Sequence, residues 1–390
     1  MATIAFTGGG TGGHIYPGLA VATELKKFHT GRVFWIGSSS GMDKAIVENA
    51  GIDFFSIPTG KLRRYFSLRN IFDVFKVAAG FFSARKILKR EAARLLFSKG
   101  GFVSVPPCAA AKSLKIPVFT HESDFSPGLA TRINAKFAER IFVPYKETAA
   151  FFPDKIAGKI RVSGNPIRSS FAAADPKKGR AFLSVSDDER LLLVLGGSLG
   201  SQEINALVKA CLPMLTKHYT VVHQTGENNF REIKPSIDEP SIKPSIKLSI
   251  DDPSIERYKP YPYFRDEIPH VIAAAELIIC RSGAGTIWEC KYLKKPMVLI
   301  PFRGGGTRGD QVENARLFEE AGAAISFIPD KADSPEAERH VAEKLAADKL
   351  SGLVISLAED PEKRLSMGEA KISCLDAAAL IAKEISDRIE

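Results

Sequence analysis

Thr3-Ile4-Ala5-Phe6-Thr7 runs straight into Gly8-Gly9-Gly10-Thr11-Gly12-Gly13-His14 and then into Ile15-Tyr16-Pro17-Gly18-Leu19-Ala20. An apolar strand, a turn of glycines and a helix start form an anion-handling element. Without Cβ atoms the backbone N–H groups approach a phosphate closely, and the helix dipole adds partial positive charge. His14 sets a titratable imidazole beside that element. Gly8, Gly10 and Gly13 also satisfy G-x-G-x-x-G, the dinucleotide fingerprint, which needs an acid at the end of the second strand to hold a ribose. The second strand, 32–36, ends in Gly37-Ser38-Ser39-Ser40 with no carboxylate, which argues against a dinucleotide.

Working outward, short apolar runs alternate with helical stretches, the pattern of parallel α/β sheets. The first series is 3–7, 32–36, 53–57, 95–97, 117–120, 140–144 and 160–163. A second series opens at Leu191-Leu192-Leu193-Val194-Leu195, feeds Gly196-Gly197-Ser198, and continues at 220–224, 277–280, 297–302 and 324–328. Each series starts with a strand entering a glycine loop, so two Rossmann-like domains are expected. Ser163-Gly164-Asn165-Pro166 breaks the pattern and marks the boundary, giving domains of 1–163 and 164–367. A last helix at 368–390 is expected to cross back onto the first domain. Between 234 and 256 a Pro-Ser-Ile unit repeats, with prolines too frequent for helix or central strand, and reads as a surface insertion.

The composition agrees with two soluble domains: 390 residues exceed one ordinary core, and 45% are hydrophobic. No apolar run approaches the ~20 residues of a membrane span, and the N-terminus lacks a secretory pattern. The 5 cysteines (Cys108, Cys211, Cys280, Cys290 and Cys374) show no metal or C-x-x-C spacing, as expected of reduced cytosolic thiols. The net charge of +9 calls for an acidic partner, nucleic acid or an anionic membrane. Much of it lies in 61–90, where Lys61, Arg63, Arg64, Arg69, Lys76, Arg85, Lys86, Lys89 and Arg90 face the single acid Asp73. Tyr65, Phe66, Leu68, Ile71, Phe72, Phe75, Phe81 and Phe82 are interleaved with them. Bases beside aromatics suit lipid headgroups, and no nucleic-acid motif is present, so a membrane surface is the expected partner. The alternative is a core helix with a solvated basic face.

Further motifs follow in order. They are His121-Glu122-Ser123-Asp124-Phe125-Ser126-Pro127-Gly128-Leu129, Ser163-Gly164-Asn165-Pro166-Ile167-Arg168, and Gly196-Gly197-Ser198-Leu199-Gly200-Ser201. Arg281-Ser282-Gly283-Ala284-Gly285-Thr286-Ile287-Trp288-Glu289 and Gly309-Asp310-Gln311-Val312-Glu313-Asn314-Ala315 complete the series. With the opening glycine loop, this series resembles the MurG family, bacterial N-acetylglucosaminyltransferases that complete the lipid-linked cell-wall precursor. The likeness spans nearly the whole chain. It implies a GT-B type fold, two Rossmann-like domains facing a cleft, with the nucleotide sugar held mainly by the second. It implies inverting transfer from UDP-N-acetylglucosamine to undecaprenyl-diphospho-N-acetylmuramyl-pentapeptide in peptidoglycan synthesis, by a peripheral enzyme at the cytoplasmic face of the inner membrane. A diacylglycerol glycosyltransferase of the same layout is the alternative, and a nucleotide-sugar epimerase a further one.

For the site, the resemblance implies donor contacts from Thr11, Gly12, Gly13, Asp124, Arg168, Ser198, Ala284, Glu289, Gln311 and Asn314. Glu289 would hold the ribose hydroxyls, and Gln311 the sugar. Gly10, Thr11, Gly12 and Gly13 would take the acceptor diphosphate. His14, Glu122 and Asp124 are the catalytic candidates. An imidazole at a helix start is kept neutral by the dipole, as a general base requires, or else it only positions an anion. Many relatives carry Asn where Asp124 stands, so the proton acceptor here is Asp124 alone or a His14–Asp124 pair. Many carry Gln at the place of Leu199, which removes a polar group from the second glycine loop. Arg168 follows a rigid Asn-Pro turn, where a guanidinium suits a diphosphate or a domain-interface ion pair. No D-x-D pair occurs in the sequence. The departing UDP is therefore expected to be stabilised by Arg168, Ser198 and loop amides, without metal or cofactor.

Overall fold

A computed structural model describes residues 2–39, 43–60, 68–197, 200–231, 256–304, 309–329, 336–372 and 376–390, with side chains considered from 73 and from 341 in two of the helices. The chain forms two compact units, Met1–Ser169 with Ser373–Glu390, and Ser170–Ile372.

The first unit holds β1 (Thr3–Thr7), β2 (Val33–Ser38), β3 (Asp53–Ile57), β4 (Ala93–Ser98), β5 (Val118–His121), β6 (Arg140–Val143) and β7 (Ile160–Val162). They form one 7-stranded sheet in the order β3-β2-β1-β4-β5-β6-β7. Every neighbouring pair is parallel. Alternate residues feed opposite faces, as a pleated strand buried on both sides must. Ile4, Phe6, Trp35 and Phe97 pack with Val21 and Leu25 of the helix Tyr16–Leu25. Ala5, Phe34, Ile36 and Leu96 pack on the other face with Ala84 and Leu88 of the helix Leu68–Arg90. The last helix, Ala377–Ile389, buries Ile381, Ala382 and Ile385 in the first of these clusters. Two such isoleucines contribute ~1.5–3 kcal/mol each on burial, enough to hold a helix supplied from the far end of the chain.

The second unit holds β8 (Leu191–Leu195), β9 (Thr220–Gln224), β10 (Tyr258–Tyr261), β11 (Leu277–Cys280), β12 (Met297–Leu299) and β13 (Ala324–Ser326). Their 6-stranded order is β10-β9-β8-β11-β12-β13, again all parallel. β10 is absent from the sequence expectation. It carries Pro260, which can enter a sheet here because, among the described residues, β10 lies at the edge and pairs only with β9.

The first unit ends at Ser169, a few residues beyond the expected boundary, because the intervening turn is packed into it. Asn165 is 1% exposed, and the Gly164 carbonyl accepts a hydrogen bond from His121 Nε2 at 3.0 Å. The repeat at 234–256 falls almost wholly outside the described residues. Among the described residues no helix is long and apolar enough to cross a membrane.

Candidate active site

In an open parallel sheet, ligands bind beyond the carboxyl ends of the strands where strand order reverses. The first sheet reverses between β1 and β4, the second between β8 and β11. The glycine loop 8–13 follows β1, and Lys99-Gly100-Gly101 follows β4. Gly196-Gly197 follows β8, and Arg281-Ser282-Gly283 follows β11. The sequence motifs therefore sit where each topology places a ligand.

At the first switch point the loop is held from below. Trp35 Nε1 donates to the Gly8 carbonyl at 3.0 Å. Gly10 N donates to both carboxylate oxygens of Asp43, at 3.1 and 3.0 Å. Sequence reasoning missed Asp43, which lies beyond the end of β2 and serves the loop backbone, so the absence of a ribose acid stands while an acid is nevertheless present. His14 closes the 3-10 turn Gly12–His14 ahead of the helix Tyr16–Leu25, one step further from the helix dipole than expected. Its ring lies against Gly101, where a Cβ would come within 3.0 Å of the imidazole Cδ2, and the φ of +78° there suits glycine. Tyr16 covers Gly12, and the Arg168 guanidinium stacks over the Tyr16 ring at 4.9 Å. Arg168 thus stands beside the first glycine loop.

The motif after β5 separates its two acids by environment. Glu122 is 5% exposed; its Oε1 accepts from Ser123 N at 2.8 Å and Asp124 N at 3.1 Å, and its Oε2 from Gly128 N at 2.9 Å. Burial alone would raise its carboxyl, but the Lys99 charge, Thr131 and these amides hold it below the ordinary range. The carboxylate thus shapes its own loop. Asp124 is half-buried. His121 is fully buried and kept neutral, its pKa pushed well down by burial and then by the Lys99 charge. Lys99, also missed from sequence, is 1% exposed and donates from Nζ to Ser123 Oγ at 2.7 Å.

At the second switch point Arg281 braces three loops. Its guanidinium donates to Ser201 Oγ at 2.6 Å, Glu203 Oε2 at 2.7 Å and the Ile300 carbonyl at 3.1 Å. Ser201 in turn caps the helix Gln202–Leu215 by accepting from Ile204 N at 3.2 Å. Gln224 Nε2 donates to the Gly197 carbonyl at 3.0 Å. The helix Ala284–Tyr292 begins just after Gly283, with Glu289 half-buried on it. Asn314 is fully buried and donates to the Ser282 carbonyl at 3.1 Å, so it shapes the loop from beneath. Gln311 Oε1 accepts from Phe302 N at 3.0 Å, which leaves its amide NH2 for other partners. Ser198, Leu199 and the basic-aromatic residues Arg63, Arg64, Tyr65 and Phe66 lie outside the described residues, as do the side chains of Arg69 and Phe72.

Two doubly wound units, each with a glycine loop at its switch point, are the architecture of a two-domain glycosyltransferase. Residues 4–143 match the glycosyltransferase family 28 N-terminal domain, and residues 191–369 match the family's C-terminal domain. The chain belongs to glycosyltransferase family 28. It is 49% identical over 332 residues to the UDP-N-acetylglucosamine--N-acetylmuramyl-(pentapeptide) pyrophosphoryl-undecaprenol N-acetylglucosamine transferase of Treponema denticola, covering 83% of each chain. To the transferase of the same name from Clostridium perfringens it is 38% identical, covering 85% of this chain and 87% of that one. The crystal structure of Acinetobacter baumannii MurG shares the fold with a TM-score of 0.70 at 22% identity, covering 99% of this chain and 100% of that one. A UDP-GlcNAc 2-epimerase from Neisseria meningitidis bound to UDP-GlcNAc shares it with a TM-score of 0.67 at 14% identity, over 100% of this chain and 99% of that one. The fold by itself thus leaves open which chemistry a chain performs.

Proposed function

We propose that the chain transfers N-acetylglucosamine from UDP-N-acetylglucosamine to an N-acetylmuramyl-(pentapeptide) pyrophosphoryl-undecaprenol acceptor, yielding the disaccharide lipid of peptidoglycan synthesis. The observation that carries this reading is the 49% identity, over 83% of both chains, to a relative named for that reaction.

The first unit takes the acceptor and the second the donor. An acceptor hydroxyl attacks the anomeric carbon and gives its proton to Asp124, directly or through His14. The anomeric C–O bond to the diphosphate breaks, and UDP leaves with the bonding pair from the opposite face, so the configuration inverts. Asp124 suits the proton role because it is a half-buried carboxylate in the loop after β5, two residues from the enclosed Glu122. Glu289 supports donor binding from the first turns of a helix whose N-terminus faces the switch-point loop. Arg168 supplies a guanidinium for a diphosphate that gains charge as the bond breaks. The lack of a D-x-D pair favours leaving-group stabilisation by these groups without a divalent cation.

A polyprenyl acceptor stays in the bilayer, so the enzyme must dock there. The helix Leu68–Arg90 exposes Phe75 (70%) and Phe82 (68%) beside exposed Lys76, Arg85, Lys86 and Lys89. Apolar rings among bases fit reversible docking on an anionic surface, with Arg63, Arg64, Tyr65, Phe66, Arg69 and Phe72 as further candidates. The test is transfer of label from UDP-N-acetylglucosamine to the lipid-linked acceptor, with diacylglycerol as the competing acceptor. Label in the first alone supports the reading, and label in diacylglycerol alone refutes it.

A further inference from the structure

The helix Leu129–Asn134 leaves the motif that follows β5, and its last residue, Asn134, is fully buried. Asn134 Nδ2 donates to Ser98 Oγ at 3.2 Å, 36 positions back along the chain, and to Ser104 Oγ at 2.8 Å, 30 positions back. These serines bracket the turn Lys99-Gly100-Gly101 after β4, and each holds one of its glycines. Ser98 Oγ accepts from Gly100 N at 3.2 Å, and Ser104 Oγ donates to the Gly101 carbonyl at 2.8 Å. Ser104 has one hydroxyl proton, spent on that carbonyl, so toward Asn134 it only accepts, which fixes the amide with Nδ2 facing it. Gly100 and Gly101, with φ of +84° and +78°, lie in neither strand nor helix, and the side-chain bonds hold their turn in place. On its other side the turn meets the first glycine loop. A Cβ on Gly101 would come within 2.7 Å of the Gly9 carbonyl oxygen and 3.0 Å of His14 Cδ2, and one on Gly100 within 3.9 Å of His14 Nδ1. The imidazole thus rests against a turn that Asn134 pins from beneath.

We propose that Asn134 is a positioning residue for the transfer: through Ser98 and Ser104 it fixes the Gly100-Gly101 turn, and the turn sets where the His14 imidazole stands. This rests on the reading of His14 as part of the proton path from the acceptor. Burying an amide is costly unless its N–H groups are bonded, and here Nδ2 is committed to the two serines that hold the turn. The bonds act on geometry. A misplacement of about 1 Å in a reacting group costs up to about 100-fold in rate, so a buried amide behind the imidazole can set kcat without touching either substrate. Glu289 and Gln311, the donor-side candidates, belong to the other unit, so donor binding there does not depend on this turn.

The experiment is a double-mutant cycle on kcat, with UDP-N-acetylglucosamine and a soluble short-chain lipid-linked acceptor, for wild type, Asn134→Ala, His14→Ala and the pair. Asn134→Ala should lower kcat about tenfold with donor KM unchanged. In the His14→Ala background the same substitution should cost less than about twofold, because the group it positions is gone. Ser104→Ala leaves Ser104 N donating to the Gly101 carbonyl at 3.1 Å, so it is the milder variant. It should show the same dependence on His14, and it carries the test if Asn134→Ala fails to fold. A merely structural role would cut kcat equally in both backgrounds, and that result overturns the proposal. So does kcat equal to wild type in a folded Asn134→Ala. His14→Ala alone separates the two readings. If it turns over like wild type, the reading of His14 fails and the positioning role falls with it. If it is slow while the Asn134 loss is the same in both backgrounds, the assignment of Asn134 alone fails.

Discussion

The Asp43 carboxylate straddles the amide of Gly10, at 3.1 Å from Oδ1 and 3.0 Å from Oδ2, across 33 positions of sequence. Asp43 is 1% exposed, and burial raises its pKa despite the amides that bond it. The pairing fixes the glycine loop from beneath and leaves its outer edge to a ligand. Room for it depends on Gly9, where a Cβ would lie 2.0 Å from Oδ2.

Asp43→Ala removes the carboxylate that accepts from the Gly10 N–H and should lower the unfolding free energy by about 0.5–1.5 kcal/mol, water being able to take up the freed amide. Asp43→Asn keeps one oxygen and should lose less. Acceptor KM should rise in the Ala variant while donor KM holds. Denaturant midpoints equal to wild type in Asp43→Ala would show that the loop holds its shape unaided.

Glu289→Ala should raise the donor KM with the fold intact. A hydrogen bond to a charged group contributes ~1.5–3 kcal/mol, or roughly 10- to 150-fold in kcat/KM for the donor. Activity in excess EDTA should equal that without it. Unchanged donor kinetics in the variant, or loss of activity with the chelator, would remove the site from the second switch point.

The fold should weaken in acid. His223 is 1% exposed, its Nδ1 hydrogen-bonded with Tyr258 Oη at 3.0 Å, and burial pushes its pKa to about 3; His121 is likewise pushed well below the ordinary 6.5. Between 6.5 and about 3 the unfolded chain therefore binds more protons than the folded one, so stability is full above 6.5 and falls as pH falls. His223→Gln should flatten the decline by ~1.4 kcal/mol per pH unit. Equal slopes for variant and wild type would mean that His223 titrates alike in both states.

What the sequence made legible was local: Thr3–Thr7 entering glycines, Leu191–Leu195 entering glycines, and the Asn-Pro turn at 165–166 each announce themselves within a dozen residues. The strand Tyr258–Tyr261 does not, because Pro260 reads as a breaker until the sheet places it on an edge. Lys99 and Asp43 were invisible for a different reason. A buried charge is recognised by its partners, and Ser123 and Gly10 lie 24 and 33 positions away. The same holds for Glu122, whose pairing with the amides of its own loop only the folded turn reveals.

Membrane docking should weaken with salt and with charge reversal. Each basic residue near an anionic surface contributes on the order of 1 kcal/mol. Arg63, Arg64 and Arg69 changed to Glu, or Phe75 and Phe82 changed to Ser, should release the protein from anionic vesicles in sedimentation. Turnover of a short-chain soluble acceptor should be spared. Vesicle binding equal to wild type in both variants would place the docking surface elsewhere.

The most direct measurement is the anomeric configuration of the product formed from UDP-N-acetylglucosamine and the lipid-linked N-acetylmuramyl acceptor, read by NMR coupling constants. Direct displacement with Asp124 or a His14–Asp124 pair taking the proton predicts a β-linked N-acetylglucosamine on that acceptor. An α-linked product, or free N-acetylglucosamine with no disaccharide lipid, would contradict it.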